Sequence, residues 1–465
     1  MSSLEGKRIL VAGMDNENKR LAHWLPTQGA NVIIADERDA GELADDFLDF
    51  LLEPNVSFAM GSHGLELLDT VDMLCVSSNT AFQAPILRAA KERNIPIANE
   101  ATLFMDTCPA KIIGIGGTLG KSTTAALVYA ILDQANKRVW GGSDHIPLYD
   151  LPNIQPEDFV VLELRSTHLE NASTSPQVGV LTNLAPIGID RYENIDVYAS
   201  ALANIYNHQR RDELFVFNHD DQIATTMADL APSEHASFST HTLVSNGACF
   251  AGHRLILAGI SSPTGMAKVV CEDTDITLLG EHNLSNVAAA CAITGALGIQ
   301  PDFMRDIVTT MKGVPHRLEF VAKIGEVTWI NDSAAISPER TVISLEAITK
   351  RPLILLLGGR DAHYDWHPLA LAAAARAETV VCFGEFGGDI ADAISRAKNM
   401  LVEKALTTIN VVETIEDAVN AAYRAADGGG VVLFSPGGLP YDAYSDFSER
   451  GQAFKSSVDA LASES

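Results

Sequence analysis

The chain has 465 residues, of which 47% are hydrophobic and 20% are charged, and its formal net charge is −27. This composition excludes a disordered or fibrous protein, and the length predicts about three domains of ordinary size. The acidic charge argues against nucleic acids and anionic membranes as partners, because both present phosphate groups that the chain would repel.

The sequence shows no apolar run of the roughly 18–20 residues that a membrane helix needs, and its first residues lack a signal-peptide pattern. Its six cysteines are scattered and form no CxxC pair, which is typical of reduced thiols. We therefore expect a cytoplasmic protein. We also expect it to be a monomer.

Short apolar strands alternate with helical stretches in three successive groups. Residues 1–108 contain RILVAG, NVIIAD, DMLCVS and IPIAN, and residues 109–315 contain KIIGIGG, DFVVLEL and VGVLTNL. Residues 316–465 contain VTWINDS, PLILLLGG, TVVCFG and GVVLFSPGG. Such alternation is typical of parallel sheets covered by helices. We predict an α/β protein with an N-terminal Rossmann-like domain, a central P-loop ATPase-like domain and a C-terminal Rossmann-like domain.

A phosphate-binding loop is predicted after the strand KIIGIG. Lys121 would place its ammonium at the β- and γ-phosphates of a nucleotide, Ser122 would reach a magnesium ion, and the helix N-terminus would face the anion. The pattern departs from GxxxxGK[ST] because Ile115 stands at its first glycine. A strand-turn-helix without a ligand is the alternative. The predicted nucleotide-binding residues of the loop are Gly117, Thr118, Gly120, Lys121, Ser122 and Thr123.

This loop and several later segments resemble the Mur ligase family over nearly the whole chain. The segments VVLELRSTHLE, GEHNLSN, GVPHRLE, WINDS and FSERGQAF occur in the family's order. The resemblance implies that ATP and Mg²⁺ are cofactors, and that ATP phosphorylates a carboxylate which an amine then attacks to form an amide. It also implies peptidoglycan precursor synthesis, with a UDP-muramyl precursor as the acid and an amino acid as the amine. The order and spacing are most similar to the branch that adds D-glutamate.

The same resemblance assigns roles to residues outside the loop. Glu163 would hold Mg²⁺ together with Ser122, and Glu163 and Lys121 would be catalytic. A solvated strand-end acid is the alternative for Glu163, and a helix cap is the alternative for His282. The residues implied to contact the nucleotide are His282, Asn283, Asn286, Arg317 and Asp332.

At five positions where the family has catalytic or substrate-binding residues, this sequence has a different residue. Gly188 replaces a metal-binding histidine, and Leu202 replaces a lysine that becomes carbamylated. Ala334 and Ala362 replace lysines that handle the incoming glutamate, and Pro440 replaces a serine, so we expect free D-glutamate to be a poor acceptor. Two alternatives remain open: a ligase with a different acid and amine, and a nucleotide-binding, non-catalytic protein on the same scaffold.

The N-terminal domain departs as well. VAGMDNENKR has one glycine, and Asp15 and Glu17 stand where a helix N-terminus would meet a pyrophosphate, which their carboxylates would repel. The neighbouring cations Lys19 and Arg20 would offset this repulsion unless they lie on a solvated face. Binding of a UDP-sugar therefore rests on fold analogy alone.

Arg165 is the third predicted catalytic residue. It lies two residues after Glu163, so on a strand both side chains would share one face. We predict that this permanent cation faces the triphosphate in place of the family's second magnesium ion, leaving one metal at Glu163. The alternative is a salt bridge between Arg165 and Glu163 that silences the site.

Overall fold

The fold is that of a computed structural model, which describes residues 4–38, 50, 53, 55–61, 64–142, 146–186 and 191–464. The chain forms two compact units. Unit one comprises residues 1–273 and 285–307, and unit two comprises residues 274–284 and 308–465. The domain boundaries after residues 108 and 315 stay predictions. Among the described residues, no helix is both long enough and apolar enough to cross a membrane.

The first sheet belongs to unit one, and its five strands are all parallel, in the order β3-β2-β1-β4-β5. The order reverses between β1 and β4, which makes the crevice there the switch point at which open α/β sheets bind ligands. Its elements are strands β1 Arg8–Ala12, β2 Asn31–Asp36, β3 Val56–Met60, β4 Met73–Val76 and β5 Ile97–Ala98, with helices α1 Asn16–Thr27, α2 Pro85–Glu92 and α3 Glu100–Thr107.

The second sheet has nine strands in the order β14-β13-β12-β11-β10-β9-β6-β8-β7. Its strands are β6 Lys111–Gly116, β7 Val139–Gly142, β8 Phe159–Glu163, β9 Val178–Leu181, β10 Leu214–Asn218, β11 Glu234–Ser239, β12 Gly247–Ala251, β13 Arg254–Ala258 and β14 Lys268–Glu272. The helices of this part of the chain are α4 Lys121–Gln134, α5 Ser166–Leu169, α6 Ile195–Leu202, α7 Gln222–Ala228, α8 Glu281–Ala296 and α9 Pro301–Val308.

An antiparallel hairpin extends this sheet, and the sequence did not predict it. The strands from β7 to β12 pair in parallel, whereas β13 pairs antiparallel with both β12 and β14. Ala251 pairs with Arg254, so only Gly252 and His253 join β12 to β13. A connection this short permits only antiparallel pairing, because a parallel neighbour needs a long crossover.

The third sheet belongs to unit two and has the order β15-β16-β20-β17-β18-β19. Its strands are β15 Glu319–Ile324, β16 Val327–Asn331, β17 Leu353–Gly358, β18 Thr379–Phe383, β19 Thr408–Val411 and β20 Gly430–Gly437, and its helices are α10 Pro338–Ala347, α11 His367–Arg376, α12 Gly387–Met400, α13 Ile415–Ala425 and α14 Phe447–Glu464. Every residue of β17 and β20 is buried. Unbroken apolar runs such as LILLL are typical of strands covered on both faces.

The observed architecture confirms the predicted α/β class. Parallel strands end at one edge of each sheet, and the residues that follow them lie in loops at that edge. The six cysteines, all within the described residues, form no disulfide bond. We therefore expect a ligand site in unit one at the residues that follow β6, β8 and β9.

Candidate active site

The predicted phosphate loop lies between β6 and α4. Gly117 and Gly120 have φ angles of 124° and 83°, a region that glycine adopts without the strain of a side chain. A Cβ on Gly117 would lie 2.3 Å from Thr182 Oγ1, and one on Gly120 would lie 2.2 Å from Asn286 Oδ1. Gly120 is also the N-cap of α4, so no cap side chain covers the helix N-terminus. The turn therefore forms a cradle of the kind that holds phosphate.

Two residues that follow β9 hold this loop in place. Asn183 Oδ1 accepts the N–H of Leu119 at 2.9 Å, and Asn183 Nδ2 donates to the carbonyl of Leu119 at 3.1 Å. Thr182 Oγ1 donates to the same carbonyl at 2.6 Å, and Thr118 N donates to Asn183 O at 2.9 Å. The sequence did not predict a role for Thr182. The available signal was its place directly after a buried strand, at the edge where parallel strands end.

Ser122 and Glu163 meet at the end of the loop. Ser122 Oγ donates to Glu163 Oε2 at 2.5 Å. The contact follows from the sheet register, because Glu163 ends β8 and pairs with Ile115 of β6, beside the loop. A hydroxyl and a carboxylate oxygen are suitable ligands for Mg²⁺, which proteins bind through one or two carboxylates together with substrate phosphates. This donor set fits the magnesium ion that the resemblance implies.

Lys121 folds back onto the loop. Its Nζ donates to the carbonyls of Gly117 at 2.9 Å and Thr118 at 3.0 Å. Both acceptors are neutral and belong to the turn that would surround a phosphate. The ammonium is thus held at the loop, where it would neutralise phosphate charge.

Arg165 lies outside the strand on which the sequence analysis placed it. Strand β8 ends at Glu163, and Arg165 is the N-cap residue of the short helix α5, so the argument that both side chains share a strand face is wrong. Arg165 is exposed, and within the described part of the chain its guanidinium donates no hydrogen bond and forms no ion pair. The alternative of a salt bridge with Glu163 therefore does not describe this structure.

His168 fixes the backbone at Arg165. The N–H of Arg165 donates to His168 Nδ1 at 3.2 Å. Burial, followed by the charges of Arg165, Lys121 and Arg20, lowers the pKa of His168 to about 3. The imidazole is therefore neutral near pH 7, and its unprotonated nitrogen remains an acceptor.

The residues of GEHNLSN divide between the two units. Asn286 belongs to unit one, is buried, and lies against the phosphate loop, where its Oδ1 also accepts from Thr124 Oγ1 at 3.4 Å. His282 and Asn283 belong to unit two. Asn283 Nδ2 donates to Leu279 O at 2.7 Å, and burial lowers the pKa of His282. Nucleotide contact by these three residues stays a prediction.

Asp332 and Arg317 lie near each other in unit two. Asp332 Oδ2 accepts from Ser344 Oγ at 2.6 Å and from Ser435 Oγ at 2.7 Å, while its Oδ1 accepts from Leu318 N at 3.1 Å. Burial raises the pKa of Asp332, and these hydrogen bonds and the charge of Arg317 lower it. Asp332 is thus fully engaged by its own unit, and its predicted role toward ATP stays a prediction.

Apolar packing fills one of the positions that depart from the family. Leu202 is fully buried, and its Cδ2 lies 3.5 Å from the place that a Cβ on Gly116 would occupy, directly before the phosphate loop. Its side chain offers no oxygen to a metal. Gly188 lies outside the described residues.

The three departures in unit two leave no side chain that binds an acid. Ala334 is buried, and its carbonyl accepts from Arg340 Nη1 at 3.3 Å. Pro440 is buried and Ala362 is half-buried. The nearest cation in sequence to Ala362 is Arg360, which is already paired with Glu385 at 3.0 Å.

Comparison with known proteins gives one consistent result. Residues 115–294 match the Mur ligase middle domain, and residues 316–438 match the Mur ligase, glutamate ligase domain. The UDP-N-acetylmuramoylalanine--D-glutamate ligase of Clostridium botulinum (strain Loch Maree / Type A3) is 33% identical over 458 residues, which cover 98% of this chain and 97% of that protein. The protein of the same name from Clostridium acetobutylicum is 31% identical over 466 residues, with the same two coverages.

Solved structures show the same fold at low sequence identity. The MurF ligase of Thermotoga maritima in complex with ADP gives a TM-score of 0.59 at 15% identity, covering 99% of this chain and 100% of that one. The UDP-N-acetylmuramate-alanine ligase MurC of the same organism gives a TM-score of 0.58 at 18% identity, with the same coverages. The chain therefore belongs to the Mur ligase family, whose members are C–N ligases that use ATP and Mg²⁺.

Proposed function

We propose that this chain is an ATP-dependent amide ligase of peptidoglycan precursor synthesis that acts through an acyl phosphate. The observation that carries the proposal is the Ser122–Glu163 contact beside a glycine cradle that holds Lys121. The curated relatives named above are ligases that join UDP-N-acetylmuramoylalanine to D-glutamate, and they match the whole chain at about one third identity. We propose a muramyl precursor as the acid substrate and an amino acid as the amine substrate.

The residues of unit one bind the phosphates, neutralise their charge and orient the substrates. Gly117, Gly120 and the start of α4 hold the phosphates, and Lys121 neutralises part of their charge. Ser122 and Glu163 would hold Mg²⁺, which would supply Lewis-acid stabilisation of the phosphoryl oxygens. The protein mainly aligns the carboxylate with the γ-phosphate and, after transfer, the amine with the acyl phosphate.

Arg165 is proposed as a catalytic cation at the transferred phosphoryl group. Its guanidinium is exposed and stands one buried residue after Glu163, and the charges of Arg165 and Lys121 both lower the pKa of His168. The buried Leu202 offers no oxygen to a metal near Gly116. We propose a single metal at Ser122 and Glu163, with Arg165 as the additional positive charge.

Titration with a non-hydrolysable ATP analogue and Mg²⁺ tests the phosphate site. The Lys121→Ala variant is expected to bind the analogue at least about tenfold more weakly, since it loses a charge-assisted contact. Lys137→Ala removes an exposed lysine beyond the end of the same helix and is the matched control. Equal affinity for the two variants would remove the phosphate loop from the proposal.

Turnover is tested by phosphate release from ATP with pooled amino acids, with and without a muramyl precursor. The proposal expects release that requires both the precursor and an amine. ATP binding without any precursor-dependent release would favour the non-catalytic alternative.

The metal count tests the role of Arg165. Electron paramagnetic resonance with Mn²⁺ and the ATP analogue is expected to show one bound ion per chain. Arg165→Gln is expected to weaken analogue binding without changing that count, whereas Arg88→Gln, an exposed arginine on α2, is expected to change neither. Two bound ions in the parent protein would contradict the proposed role.

A further inference from the structure

The crevice of the first sheet is the second place in unit one where an anion would be expected. It lies between β1 and β4, where the strand order reverses, and α1 begins directly after β1. In sheets of this type a pyrophosphate sits at the helix N-terminus, and a glycine-rich turn lets the backbone approach it. The turn here is Gly13-Met14-Asp15, and Gly13 has a φ of 96°.

Carboxylates of the chain occupy this crevice. Glu17, in the first turn of α1, accepts the N–H of Ser78 at 3.0 Å and its hydroxyl at 2.7 Å, both through Oε2. Ser78 follows β4, so Glu17 spans the crevice from one wall to the other. Asp15 caps α1 by accepting the N–H of Asn18 at 3.0 Å, and its other oxygen accepts from Asn79 Nδ2 at 3.4 Å. The donors that would meet a phosphate thus serve carboxylates instead.

One nearby cation, Arg20, is paired with another carboxylate. Arg20 Nε and Nη2 donate to the two oxygens of Glu100 at 2.8 and 2.7 Å. Arg20 therefore pairs with Glu100 rather than with Asp15 or Glu17, although the charge of Glu17 also raises the pKa of Arg20.

A second guanidinium near the turn, that of Arg38, also forms an ion pair with a carboxylate. Arg38 donates to both oxygens of Asp36 at 2.9 and 2.8 Å. Asp36 ends β2 and also accepts the N–H of Met14 at 2.9 Å, which withdraws a backbone donor from the turn. The carboxylates of Asp15, Glu17 and Asp36 thus surround the turn, and a diphosphate would meet their negative charge.

The remaining oxygen of Glu17 indicates what the crevice does accept. Oε1 is buried and accepts no hydrogen bond within the described part of the chain. Burial raises the pKa of Glu17, Asp15 and Glu100 raise it further, and the hydrogen bonds from Ser78 lower it. A ligand that brings a hydroxyl or an N–H would satisfy this acceptor, whereas a phosphate oxygen would face it with like charge.

We infer that Glu17 excludes a diphosphate from this crevice, so that the acid substrate is a muramyl precursor without a nucleoside diphosphate. The inference rests on the proposed function for the identity of the precursor. The exclusion itself rests on the hydrogen bonds and charges of the crevice. Glu17 thereby acts as a specificity-determining residue.

Calorimetric titration with UDP and with N-acetylmuramoyl-L-alanine tests the inference on the full chain. The parent protein is expected to bind N-acetylmuramoyl-L-alanine and to show no heat with UDP at millimolar concentration. Glu17→Gln keeps the size of the side chain and an acceptor for Ser78, and it is expected to gain at least about tenfold in UDP affinity. Glu92→Gln, an exposed acid at the end of α2, makes the same charge change away from the crevice and is expected to gain nothing.

Each outcome decides the inference. Micromolar UDP binding by the parent protein would overturn it, as would a Glu17→Gln variant whose UDP affinity is unchanged or is matched by Glu92→Gln. Binding of UDP but not of N-acetylmuramoyl-L-alanine would overturn the substrate class. Binding of the ATP analogue, measured separately, reports on the proposed function and is expected to be the same in all three proteins.

Discussion

Protonation of His168 is expected to weaken the fold on the acidic side of neutrality. The imidazole is buried, and its pKa is lowered to about 3 from an ordinary value of 6.5. The unfolded chain therefore takes up this proton at a higher pH than the folded chain does. Stability from the neutral histidine is fully present above about pH 6.5 and is lost as the pH falls from there toward 3.

The size of the effect follows from the two pKa values. Between pH 7 and pH 5 the loss caused by His168 alone is about 2 kcal/mol, because each unit of pKa difference corresponds to about 1.4 kcal/mol. The charges of Arg165 and Lys121 contribute to the lowered pKa after burial itself. Protonation at Nδ1 would also remove the acceptor of the Arg165 N–H.

Two measurements check this expectation. The imidazole resonance that disappears in His168→Gln should not titrate between pH 8 and pH 5, and urea unfolding should show a smaller stability loss in that variant than in the parent protein. His253→Gln is the control of opposite sign, because Asp273 raises the pKa of the exposed His253, whose contribution is present at low pH and lost as pH rises. A His168 midpoint between pH 6 and pH 7 would refute the reasoning.

Three further outcomes are expected. Gly120→Ala should lower ATP-analogue affinity at least about tenfold, because a Cβ at a φ of 83° would lie 2.2 Å from Asn286 Oδ1. Unchanged affinity in a calorimetric titration would contradict phosphate binding by this loop. Glu170→Gln should lower the free energy of unfolding by about 3 kcal/mol, since Arg191 donates to both carboxylate oxygens at 2.8 and 2.9 Å, whereas Glu157→Gln on the surface should change it little. Free D-glutamate should show a KM above about 1 mM in the phosphate-release assay. Efficient turnover would show that Ala334 and Ala362 do not prevent D-glutamate from binding.

The phosphate loop was predictable because its determinants are local. A buried strand, two glycines and a lysine at the start of a helix are neighbours in sequence, and backbone sterics favour glycine at positive φ. The alternating strands and helices likewise fixed the α/β class. The resemblance to the Mur ligases extended the prediction from one loop to a fold and a reaction for nearly the whole chain.

The partners of the loop were decided by the order of strands in the sheet. Glu163 meets Ser122 because β8 pairs with β6, and Thr182 reaches Leu119 because β9 lies on the other side of β6. Neither neighbour follows from local pattern, since strand order depends on long-range pairing.

Arg165 and Glu17 show the limit of reading a sequence without its tertiary structure. Two-residue spacing suggested a shared strand face for Arg165, but β8 ends at Glu163 and the chain turns into α5. The sequence by itself determined that Glu17 brings negative charge to the start of α1. Only the tertiary structure decided that this charge is held across the crevice by Ser78, because a hydrogen bond between residues 61 positions apart exists only once β1 and β4 are neighbours.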